Sequence, residues 1–143
     1  MNIITVEVGE LVRLRQILQL LAEMPNRLPR KVAEEAYVHA LDFVPVRTGR
    51  LRESIHIETH GKEYHVVAGS RIAYYAPYVE FGTRPHIIRP VRARALRFEV
   101  RGEVVFAKYV HHPGSSPQYF MRRAFERTLS EIGYIVADYL GLL

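Results

Sequence analysis

Apolar and polar residues alternate at the start of the chain, where Ile4, Val6 and Val8 are separated by Thr5 and Glu7 and followed by Gly9. A period of two predicts a short half-buried strand over residues 4–8. The period then changes. Leu11, Leu14, Leu18 and Leu21 recur at spacings of three and four, Ile17 and Met24 widen the stripe, and Arg13, Arg15, Gln16 and Gln19 fall mostly off it. This predicts an amphipathic helix that ends at Pro25-Asn26. A second helix is predicted over about 29–43. Its apolar face combines Val32, Ala36 and Ala40 with Ala33, Tyr37, Leu41 and Val44, and Pro45 closes it.

Beyond a turn-rich basic stretch, Ile55 and Ile57 alternate with Ser54, His56 and Glu58. With a turn at His60-Gly61-Lys62 and a return strand over 64–68, they predict a hairpin. Residues 73–81 predict a short helical turn ending at Gly82. Residues 83–90 read as a loop rich in Pro and Arg. A second hairpin is predicted from Leu96, Phe98 and Val100, through a tight Arg101-Gly102 turn, to a strand over 103–110. Residues 111–116 read as a loop. The final helix is predicted with Ser116 as its cap and Pro117 at its first position. Met121, Phe125, Leu129, Ile132, Val136 and Leu140 make one stripe, through which Phe125, Leu129 and Ile132 are expected to dock on the sheet. The expected fold class is α+β: an antiparallel sheet of two hairpins plus an N-terminal strand, packed with two N-terminal helices and a long C-terminal helix.

The 143 residues suit one domain spanning 1–143. A hydrophobic fraction of 48% against 24% charged is that of a globular protein, not a disordered one. The absence of cysteine excludes disulfides, thiol catalysis and cysteine-ligated zinc. No apolar run is long enough to cross a bilayer, and the N-terminus lacks the form of a signal peptide, so an intracellular protein is expected. The net charge of +5 is modest and reads as spread along the chain, compatible with a solvated positive surface or with anionic partners.

Chemistry that could convert this scaffold into an enzyme is hard to find. Seven histidines invite a metal site. However, His111 and His112 are adjacent, and in a strand they point to opposite faces. His56, His60 and His65 flank one hairpin, where His56 and His65 could meet, but no third ligand recurs at metal spacing. Ser115 and Ser116 lie near histidines without a nucleophile-elbow pattern. The glycines form no phosphate loop. Neither an enzyme nor a cofactor is expected. Arg84, Arg89, Arg92, Arg94 and Arg97, near Tyr74, Tyr75 and Tyr78, suit either a protein interface or a nucleic-acid contact.

Three stretches together resemble a known family. Val44-Pro45-Val46-Arg47-Thr48-Gly49-Arg50-Leu51-Arg52-Glu53-Ser54-Ile55 is similar to the pattern P-V-D-T-G-x-L-R-x-S-I of small head–tail joining, tail-completion or minor tail-component proteins of long-tailed phages and prophages. Tyr75-Ala76-Pro77-Tyr78-Val79-Glu80-Phe81-Gly82-Thr83 resembles that family's Y-A-x-Y-V-E-F-G-T. Pro117-Gln118-Tyr119-Phe120-Met121-Arg122-Arg123-Ala124 is similar to its P-x-P-F-L-R-P-A. Arg47 stands where the family often has Asp, and Tyr119 and Arg123 replace two prolines.

The resemblance implies a structural virion protein: a ring subunit, six-fold by expectation, joining the head connector to the tail tube. Its implied partners are itself, the head-closure and tail-tube proteins, and passing phage DNA. Its implied location is the virion, after assembly in the host cytoplasm. Candidate interface residues are Tyr75, Tyr78, Glu80, Phe81, Arg84, Arg89, Arg92, Arg94, His111 and His112. Thr48, Gly49, Leu51, Gly82, Pro117 and Phe120 are expected to be structural, with a positive φ at Gly49. The alternative reading is a basic nucleic-acid-binding regulatory protein, and a third is a hydrolase with its site on the histidine-rich hairpin.

Overall fold

A computed structural model describes residues 8–143, with side chains from Arg15 onward except that of Ile17. The strand expected over 4–8 lies outside the described residues, apart from Val8, with which a helix opens. That helix, α1 (Val8–Phe43), runs unbroken through Pro25 and Pro29. The two expected N-terminal helices are therefore one. A proline inside a helix loses a backbone donor and crowds the carbonyl four residues back. Here the two prolines are four apart, on one helix face, and both are exposed. The carbonyls they leave without a partner, Leu21 and Pro25, thus lie on the side water can reach.

Two compact units are formed, one from residues 1–73 and 120–143, the other from Tyr74–Tyr119. In the first, α1 packs chiefly on α4 (Phe120–Ser130), and also on α5 (Ile132–Tyr139) and on the hairpin of β1 (His56–His60) and β2 (Glu63–Val67). Ala33 and Ala40 of α1 and Val44 just after it are buried, as are Phe120, Ala124, Thr128 and Ile135. Alanines at the contact let the α1 and α4 backbones approach closely, and Phe120, with no exposed surface, fills the space. The Arg123 guanidinium lies 4.4 Å from the centre of the Phe43 ring.

The face of the C-terminal segment differs from expectation. Phe125 and Leu129 are 60% and 50% exposed, and Ile132 is also exposed. The buried row is Phe120, Ala124, Thr128 and Ile135, one step around the helix. The single long C-terminal helix is also interrupted, because Glu131 departs from helical geometry at φ −102°, ψ 3°. Its amide is shared between Arg127 O and Thr128 O, at 3.2 and 3.1 Å. Just before the break, the Thr128 hydroxyl donates back to Ala124 O at 2.9 Å, a local bond that bends helices. With its hydrogen so used, Thr128 Oγ1 accepts from His39 Nδ1 at 3.0 Å. His39 Nε2 faces Glu131 Oε2 at 3.2 Å, so one α1 side chain spans the break.

The first family-like stretch joins α1 to the hairpin. Gly49, at φ 82°, is in the left-handed region as expected and precedes α2 (Arg50–Glu53), whose Leu51 is buried. Ser54, also buried, donates to Leu51 O at 2.6 Å and accepts from the Gly69 N–H at 3.1 Å. One hydroxyl thus ties this stretch to the end of β2. In the hairpin, Ile57 pairs with Val66 and Thr59 with Tyr64.

The second unit holds α3 (Ala76–Phe81), ended at Gly82 as expected, and two further two-stranded antiparallel sheets. The expected hairpin is present as β4 (Leu96–Val100) and β5 (Glu103–Ala107), turned by Arg101 and Gly102 at φ 52° and 86°. Two positive φ values in sequence match the right-handed twist of hairpin strands. The sheets are separate, so the single sheet expected from the two hairpins is not formed. Residues 83–90 and 111–116, expected as loops, contain β3 (His86–Ile88) and β6 (Val110–His112), which pair with each other.

Candidate assembly surface

Backbone bonds draw together the second and third family-like stretches. The last carbonyls of α3, Val79 and Glu80, accept from the N–H groups of Gln118 and Tyr119 at 2.9 and 3.1 Å. These carbonyls would otherwise be orphans of the helix end. Thr83 and Ser115 exchange two backbone bonds. A Cβ on Gly82 would stand 2.3 Å from Ser115 O, and one on Gly114 would stand 2.3 Å from Thr83 O. The crossing therefore admits no side chain at either position.

Two expectations about the third stretch do not hold. Ser116 does not cap the final helix and Pro117 does not open it, because α4 begins at Phe120 and residues 117–119 run against the end of α3. Tyr119, before the helix, has φ 50°. A proline ring cannot adopt that angle, and Tyr119 also uses the N–H that proline lacks. Tyrosine in place of the family's proline is thus consistent with the backbone seen here.

The ten candidate interface residues separate into groups. Tyr78 and Phe81 are exposed and Tyr75 half-buried, all on or beside α3. Glu80 is buried, so it belongs to the interior of the subunit and not to its surface. Arg84, Arg89, Arg92 and Arg94 are exposed. His112 pairs across the β3–β6 ladder with His86, their rings 5.0 Å apart. His111 is exposed on the other face, beside Tyr109 at 5.5 Å.

A groove of about 340 Å³ is lined by Pro85, His86, Ile87, His111, His112 and Pro113. Two of its three histidines are engaged through Nδ1: His86 donates to Arg84 O at 2.8 Å, and His112 accepts from the Gly114 N–H at 3.1 Å. A neutral His112 then carries its hydrogen on Nε2 and offers no lone pair to a cation. On the β1–β2 hairpin, His56 and His65 do not meet, since His65 stands opposite Glu58 and its ring touches that of His60 at 5.1 Å. His56 and His60 both donate to Glu58, at 3.0 and 3.1 Å. Among the described residues no group of three or more His, Asp and Glu is placed to hold a metal ion. None of their helices is long and apolar enough to cross a membrane.

Two apolar surfaces went unrecognised in the sequence. One is the α4–α5 stripe of Phe125, Leu129 and Ile132, with Tyr134 beside it. The other is the β4–β5 hairpin. Val105 and Val100 are exposed on one face, and Phe106, 66% exposed opposite Arg97, and Val104 on the other. Alternation marks only one face of a strand as apolar, so a hairpin apolar on both faces was visible only in the run Val104-Val105-Phe106.

Backbone stitching and exposed apolar surface are the features a structural module of a larger particle presents. Residues 12–82 match the family described as "Bacteriophage HK97-gp10, putative tail-component", and over that span the chain belongs to it. Membership gives the protein a structural role in a phage tail and places it in the virion among phage structural proteins. No curated protein and no solved structure matches the chain.

Proposed function

We propose that the chain is a ring subunit of the phage neck, made in the host cytoplasm and set between the head connector and the tail tube, with six-fold closure expected. The observation that carries this reading is the β4–β5 hairpin, with apolar side chains exposed on both faces. A two-stranded hairpin is marginal in water, and its open edges invite pairing. Such an element fits a subunit that completes itself against a neighbour. A closed ring repeats one heterologous contact, so each subunit needs two different surfaces. The hairpin and the α4–α5 stripe are two such surfaces, one per compact unit. Tyr78 and Phe81 add exposed aromatic area of the kind enriched at interfaces.

The test is particle assembly with Val105→Glu and Phe106→Glu combined in the phage that encodes the chain. Filled heads and finished tails that do not join are the expected products. Normally joined, infectious particles from the double variant would overturn the reading.

A further inference from the structure

The positive charge of the chain is concentrated in one segment. Between residues 84 and 101 stand Arg84, Arg89, Arg92, Arg94, Arg97 and Arg101 against the single carboxylate Glu99, an excess equal to the whole chain's +5. The remaining sequence is balanced, so the charge is not spread along the chain. All six arginines are exposed. Among the described residues, none of the six has a carboxylate within ion-pair distance. Four helix arginines differ: Arg27, Arg30, Arg122 and Arg127 each pair with a glutamate one turn away.

Six like charges left uncompensated repel one another and hold counterions. Arginine, used here without lysine, forms forked bonds to phosphate and carboxylate alike. The distribution favours phosphate. The arginines are displayed before β3, through the bends that follow it, along β4 and at its turn, not around one pocket. A compact acidic patch would meet only part of such a set. A duplex, with a charge about every 1.7 Å of its axis, can meet all of it and release counterions along the contact. No Asn or Gln stands between Thr83 and Arg101, so the side chains suited to reading adenine are absent.

We propose that the 84–101 arginine segment binds the phosphate backbone of double-stranded DNA without base specificity. Of the protein and nucleic-acid contacts that the sequence left open for Arg84, Arg89, Arg92 and Arg94, this takes the second, and it stands independently of the ring reading.

The experiment measures anisotropy of a labelled random-sequence DNA duplex titrated with the full chain over a range of salt concentrations. Binding should weaken with salt, with a logarithmic slope of about −3 to −5. Combined Arg89→Ala, Arg92→Ala and Arg94→Ala should lower affinity at least about tenfold at low salt and reduce the slope by about 3. The matching triple lysine variant should keep most of the slope, and circular dichroism should show all three proteins equally folded. Absence of binding at low salt, or an alanine triple that binds like the parent, would overturn the proposal. So would polyglutamate displacing the duplex at equal charge concentration, which would assign the segment to an acidic protein surface.

Discussion

Thr83 and Ser115 are joined three times: their backbones exchange hydrogen bonds of 3.0 and 3.1 Å, and their hydroxyls lie 3.0 Å apart. A glycine beside each makes this possible. Gly82→Ala or Gly114→Ala places a methyl group into a facing backbone at positive φ, so either should cost about 3 kcal/mol or more. Gly49→Ala meets only Glu53 Oε1 at 3.4 Å. Its cost is conformational alone, about 1–2 kcal/mol. Urea unfolding should rank the three, and amide exchange at Thr83 and Ser115 should accelerate only in the first two.

Phe120→Ala should destabilise the protein by about 3–5 kcal/mol, because it empties a fully enclosed site. Leu129→Ala should cost about 1 kcal/mol or less in the isolated subunit, since half of its surface already faces solvent. Chemical denaturation distinguishes the two. Equal losses would mean that the apolar stripe, and not the Phe120 row, is the interior face.

Tyr119→Pro should lose the bond to Glu80 O and force φ away from 50°. A loss of about 3 kcal/mol is expected. Tyr119→Gly, which permits that φ and keeps the N–H but removes the side chain, should cost less than Tyr119→Pro in the same thermal melt.

The β1–β2 hairpin should be most stable in mildly acidic solution. Bonds from the His56 ring to Ser54 O, and then to Glu58, raise the His56 pKa above its ordinary 6.5. That contribution is fully present below 6.5 and is lost as pH rises through the folded value. Bonds from His60, and then His56, lower the Glu58 pKa below its ordinary 4.5, so its contribution is present above 4.5 and is lost as pH falls through the folded value. Both operate between 4.5 and 6.5. Amide exchange of the hairpin, corrected for intrinsic rates, should be slowest there. Glu58→Gln should flatten the profile, and a flat profile in the parent would refute the linkage.

Hairpins were legible wherever alternation met a two-residue turn, as at Gly61-Lys62 and Arg101-Gly102. Pro25 was misread because local propensity marks a helix stop, whereas the exposure of both prolines lets α1 continue. A C-terminal helical segment was legible, but it opens at Phe120 and not at Pro117, breaks at Glu131, and turns a different face inward. Hydrophobicity picks out Phe125 and Leu129, while the close α1 contact takes the smaller Ala124 and Thr128. The pairing of β3 with β6 was illegible, since three-residue strands are too short to show a period. Of the candidate surface, the aromatics and arginines could be named in advance. The burial of Glu80 could not, because a carboxylate ordinarily marks a solvated position.

The first unit is assembled from both ends of the chain, with Tyr74–Tyr119 between them. During synthesis, the α1 face bearing Ala33 and Ala40 therefore waits, uncovered by α4, until the ribosome has released the C-terminal helices. Closure over a flexible insert depends only weakly on its length, and doubling or halving it changes the cost by about 0.6 kcal/mol. The hairpin region can thus grow, shrink or be exchanged over evolutionary time while the helical unit keeps its stability.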